Sequence, residues 1–171
     1  MRIRSFTFLI CFVLAVGFIG CKKDEGNDTT HLSIFLAGNP YAASKVNIDL
    51  REVLVNLGTD STSWTSIHTN AGVYNLLNLQ NGKDTVIAQG IIPTGTLREV
   101  RFVLGDGNTI EVNDIIYPMK VPAGGDAGLR IKMNRPLSPT MDSLVINFDA
   151  GLSISQTTSG DYLLRPVLQV K

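Results

Sequence analysis

From residue 31 to the C-terminus, apolar side chains recur at every second position, and that period restricts the chain to strands. Leu32, Ile34 and Leu36 alternate until Gly38-Asn39-Pro40 breaks the run. Val46, Ile48 and Leu50 alternate with Asn47, Asp49 and Arg51. The phase then moves by one residue to Val53, Val55 and Leu57, which predicts a β-bulge near Glu52. Trp64 and Ile67 mark a short strand, and residues 73–79 another. Asn81-Gly82 and Asp106-Gly107 tolerate positive φ angles and predict two tight hairpins. Val100, Phe102 and Leu104 share a face opposite Glu99 and Arg101. Residues 109–112 and 115–121 follow, then the alternating sets Leu129, Ile131, Met133 and Leu144, Ile146, Phe148. Tyr162, Leu164, Leu168 and Val170 close the chain. No helical period and no internal repeat interrupts this pattern.

About eight to ten short strands with polar alternate positions predict an all-β domain with one solvated face per sheet. The expected architecture is an antiparallel β-sandwich of Ig-like or prealbumin-like type, with a closed β-barrel as the alternative. A domain of about 140 residues buries roughly two-thirds of its unfolded surface, enough for one core without disulfides. Fifteen basic and 15 acidic residues balance, and the pI near 6.7 lacks the basic surplus of a nucleic-acid binder.

The N-terminus has a different composition. Arg2 and Arg4 precede an apolar run, residues 6–19, interrupted by Thr7. That run is shorter than the roughly 18–20 residues needed to span a bilayer and fits the h-region of a signal peptide. Gly20-Cys21 follows it as a small residue before a cysteine, which resembles a bacterial lipobox. The expectation is cleavage before Cys21, with residues 1–20 removed and the Cys21 sulfur carrying a diacylglycerol. Cys11 leaves with the signal peptide, so the mature domain has no disulfide despite its export. Loss of Arg2 and Arg4 leaves 13 basic against 15 acidic residues, a net charge of −2. Lys23-Asp24-Glu25 beside the lipidated cysteine resembles the surface-export signal of Bacteroidota-type lipoproteins; a periplasm-facing lipoprotein is the alternative. Residues 21–30 read as a flexible tether and 31–171 as a single domain.

Several short pieces occur in an order that resembles a known family. They are Leu76-Leu77 with Leu79 and Asn81-Gly82, Ile92-Pro93 with Gly95, and Arg101-Phe102-Val103-Leu104 leading to Asn108. Val121-Pro122 with Gly128-Leu129, Phe148-Asp149-Ala150 with Ser153-Ile154, and Gly160-Asp161-Tyr162 with Arg165-Pro166-Val167 complete the set. Together they resemble the bacterial lipoprotein domain known as domain of unknown function 4382, over about residues 31–171. The resemblance implies an exported β-sandwich lipoprotein and names no activity. Two positions depart from the family pattern. Ala37-Gly38-Asn39-Pro40 stands where a Thr-Asp-Ala-Pro-like run is common, and Asn75 stands where Asp often precedes the paired leucines.

No HExxH, GxSxG or P-loop pattern occurs. His31 and His68 read as strand-end residues, and a hydrolase would need His68 gathered with a Ser and carboxylates. No cofactor is expected; Asp106, Asn108, Asp114 and Asp126 are the weak calcium candidates, with turn formation as their ordinary role. Asp149 and Arg165 suggest a cross-strand pair. Tyr41, Trp64 and Tyr74 are the candidate ligand contacts, since aromatic faces stack on sugars. Asp28-Thr29-Thr30 resembles the Bacteroidota O-glycosylation acceptor pattern, with Thr29 the most accessible site; similar triplets begin at Asp60, Asp84 and Asp142. The expected function is a non-enzymatic, lipid-anchored surface module that binds a glycan or protein. A fimbrial or envelope-assembly subunit is the structural alternative, because exposed strand edges accept further strands.

Overall fold

The computed structural model describes residues 28–60, 62–122 and 129–171. Residues 1–20, read above as a signal peptide, and Cys21, Lys23, Asp24, Glu25 and Asp126 lie outside the described residues.

The chain is mostly β. Its first half supplies β1 (Thr29–Gly38), β2 (Lys45–Asn56), β3 (Trp64–Thr69), β4 (Gly72–Asn75) and β5 (Asp84–Pro93). Then come β6 (Thr96–Leu104), β7 (Thr109–Val112), β8 (Ile115–Lys120), β9 (Arg130–Pro136) and β10 (Thr140–Phe148). The short α1 (Ala150–Ser153) precedes β11 (Ile154–Gln156), β12 (Tyr162–Leu164) and β13 (Leu168–Val170). In place of two clearly separate antiparallel layers, the strands form one mixed 13-stranded sheet, curled strongly into a half-barrel. It is mixed because β1 pairs in parallel with β10, and β8 with β12.

The two-residue period sets the core. Leu32, Ile34, Leu36, Val100, Phe102, Ile146 and Phe148 are all at most 2% exposed and project inward from alternate positions. The predicted phase change in β2 is a register shift against β6 between Leu50 and Glu52, so both Leu50 and Val53 reach the core. Strand β2 is the hub. One edge carries β6 and β7 end to end, and the other carries β3 and β4.

Both predicted hairpins are corrected. Asn81 and Gly82 do have positive φ, 58° and 83°, but they follow a 3-10 helix, Leu76–Leu79, that replaces the second half of the expected 73–79 strand. Asn75 caps that helix: its Oδ1 accepts the Leu77 N–H and the Val46 N–H. Asp106-Gly107 joins β6 to β7, which do not pair with each other. The true tight hairpin is β7–β8, turned by Asn113 and Asp114 at φ 52° and 63°. The Asp149–Arg165 pair is also corrected. Asp149 caps α1 through the Leu152 N–H and accepts from Asn39 Nδ2, while Arg165 Nη1 donates to Ser155 Oγ. Among the described residues no helix is long and apolar enough to cross a membrane.

Candidate functional site

The site starts from a gap in the backbone ladder. β6 pairs with residues 50–56 of β2 and β7 with residues 45–47, so the peptide groups of Asp49 have no strand partner on that edge. Buried backbone groups require partners, and the 105–108 loop supplies them. Asp49 N–H donates to Asn108 Oδ1 (2.9 Å), and Asp49 C=O accepts the Gly105 N–H (2.8 Å). The Asp49 carboxylate, almost fully buried, accepts the Gly107 N–H (3.0 Å) and Arg51 Nη2 (2.7 Å). Asn108 closes the loop on itself by donating from Nδ2 to Gly105 C=O (2.7 Å). Glycine is required at 105, because a Cβ there would sit 2.3 Å from Asp49 Oδ2.

This fixed loop is one wall of a cleft of about 630 Å³. The end of β6 from Arg101 to Leu104 continues that wall, residues 118–122 form the other, and Leu129 closes it. Pro118, Val121 and Pro122 make part of the lining apolar; Arg101, Asp106 and Lys120 bring charge. The volume suits a small ligand or a few sugar residues.

Beside the cleft, the outward face of the sheet has a small cationic excess. Arg101 lies directly opposite Arg130, and Glu99 opposite Lys132, on β6 and β9. The Arg130 guanidinium lies 5.4 Å from the Trp64 ring centroid, within cation–π range. Trp64 belongs to β3, three strands from β9, or about 14 Å between backbones at ~4.8 Å per strand. The two side chains therefore lean toward each other over β2 and β6. On this face Arg101, Arg130 and Lys132 stand with the acids Glu99 and Glu52, while Lys120 and Asp106 line the cleft.

The three aromatic candidates do not form one platform. Trp64 pairs opposite Asn56 and Tyr74 opposite Ile48, eight positions apart on β2, or about 26 Å. Burial pushes the Tyr74 hydroxyl pKa up, and that hydroxyl donates to Asn70 C=O. Tyr41 is raised first by burial and then by neighbouring Tyr162, which packs on Tyr117 with centroids 5.2 Å apart. Of the calcium candidates, Asn108 is consumed by Asp49, and Asp114 lies at the far end of β7 in the hairpin turn. Among the described residues no group of three or more His, Cys, Asp or Glu is placed to hold a metal ion. His68 is exposed opposite Gln89, and His31 lies on β1 between Ile91 and Met141. Thr29 is exposed, and β1 already begins there, so the strand takes in the last two residues read as tether. The sequence reading missed Arg130, Lys132 and the cleft. Their signal was present in the cationic alternate positions of 130–132, which only the strand pairing brings against Arg101.

The family model described as Domain of unknown function (DUF4382) matches residues 29–166. The chain belongs to this family. The match spans the cleft, the Asp49 loop and the Arg101–Arg130 pair of this DUF4382 domain. No curated protein and no solved structure matches the chain.

Proposed function

We propose that this DUF4382 protein is a non-enzymatic binding module of the cell envelope, anchored to the outer membrane by lipid on Cys21, and that its cleft takes an acidic glycan. The observation that carries the ligand class is the juxtaposition of Arg101, which lines the cleft, with Arg130 beside it. Guanidinium groups recognise a carboxylate in planar, bidentate geometry, so two of them side by side favour an acidic ligand. Pro118 and Pro122 in the lining offer apolar faces to sugar C–H groups. The anchor is supported by the h-region and Gly20-Cys21, and display on the outer surface by Lys23-Asp24-Glu25. The same proposal takes the half-barrel as a sandwich whose halves stay joined through β3, which pairs with both β2 and β5.

The test is binding of the purified protein to polygalacturonate, with neutral dextran for comparison. Binding to polygalacturonate that weakens with salt, and by about tenfold in Arg130→Gln from loss of a charged hydrogen-bond donor, is the expected result. Lys120→Gln reduces it further. Equal binding to dextran, or full binding by the double variant, contradicts the proposal.

A further inference from the structure

We infer that the end of the sheet remote from the cleft is a lipid-contact surface, seated on the bilayer that holds the N-terminal acyl anchor; this rests on Cys21 being lipidated. β1 begins at that end, with Thr29 opposite Pro93. Seven residues lie between Cys21 and Thr29, so the strand starts within about 28 Å of the acylated cysteine even at full stretch.

Two turns meet the start of β1. Thr30 lies opposite both Ile92 and Thr140, Thr96 lies opposite Pro136, and the Leu137 N–H donates to Gly95 C=O (2.8 Å). Neither 91–97 nor 136–141 contains a Lys, Arg, Asp or Glu, in a chain that is 18% charged. Two large apolar side chains stand out beside these charge-free turns. Ile91 is 73% exposed and Met141 69% exposed, and both are register partners of His31, so they flank it on one face. The next row on that face is polar, Gln89–Ser33–Ser143, as a solvated sheet face should be. On this face of β1, β5 and β10, the most exposed large apolar side chains therefore stand in the row nearest the anchor.

Of the charges bordering this end, Asp28 is exposed, its C=O accepting the Thr94 N–H and hydroxyl, and two others are engaged. Asp142 is paired with Arg135 at 2.7 Å. Asp60, in the neighbouring 57–63 loop, is held by Thr62 and Ser63. Two side chains do not hold a domain on a membrane unaided. A short tether keeps them at high effective concentration beside it, and then a small apolar contact is enough to orient the domain. From this end β6 runs five residues, about 17 Å, to Arg101, so the cleft is held clear of the lipid.

The test uses the full-length protein, processed in cells and reconstituted into phosphatidylethanolamine–phosphatidylglycerol vesicles. Acylation consumes the Cys21 sulfur, so Ile91→Cys, Met141→Cys or Ile116→Cys each introduces one reactive thiol for an environment-sensitive NBD label. Ile116 is the control, 65% exposed on β8 at the cleft end. The expected result is a blue shift at 91 and 141, with loss of their fluorescence in vesicles carrying nitroxide lipid, and neither change at 116. Water-like emission at all three positions on a chain whose mass shows the diacylglycerol overturns the lipid contact and leaves the anchor standing. Equal burial of all three overturns the orientation. A mass without the lipid overturns both.

Discussion

At the scale of single residues, the Asp49 loop is the most constrained part of the molecule. Gly105→Ala puts a methyl group against a buried carboxylate and is expected to cost about 2–3 kcal/mol in urea unfolding, as overpacking does. Gly72→Ala is the matched control, since nothing lies within 4 Å of its Cβ position; its midpoint should shift little. Asp60 is a second local device. Its carboxylate accepts hydrogen bonds from the Ser63 and Thr62 side chains and backbones, and these lower its pKa from 3.8 to about 2. A lowered folded-state pKa means that the charged form is the one the fold favours. The associated stability is full above pH 3.8 and fades as the pH falls toward 2. Carboxyl-carbon NMR titration should give a midpoint near 2, and replacing Ser63 and Thr62 by Ala should return it toward 3.8.

At the scale of elements, turn chemistry decides which strands become neighbours. Asn113 has φ 52° in the β7–β8 turn, where a β-branched side chain is strained. Asn113→Val should therefore destabilise by about 1–2 kcal/mol in thermal unfolding, and Asn113→Gly much less. The sequence shows the limits of this logic. Asn81-Gly82 adopts the expected positive φ angles and yet makes no hairpin, because Asn75 caps a 3-10 helix ahead of it. Asp106-Gly107 looks like a hairpin turn, but Asp49, 57 residues earlier, moulds the loop, and no local pattern reports that contact. Periodicity, in contrast, is local and was readable. The inward sets of β1, β6 and β10, and the phase change at Glu52, follow from alternation alone.

At the scale of the whole molecule, alternation could not reveal that the strands close into one curled sheet, because β1–β10 and β8–β12 are parallel pairings between distant segments. The candidate site was hidden for the same reason: Arg101 and Arg130 are 29 residues apart in sequence and face each other only through the register of β6 and β9. That register also gives the molecule two ends, one with charge-free turns where β1 begins and a cationic cleft beyond Arg101. The most direct test of this division is amide hydrogen exchange on the full protein with and without saturating polygalacturonate. The account predicts slowed exchange in residues 101–108, 118–122 and 129–132, with 28–33 and 91–96 unchanged. Protection centred on 28–33 and 91–96, or none anywhere, would contradict it.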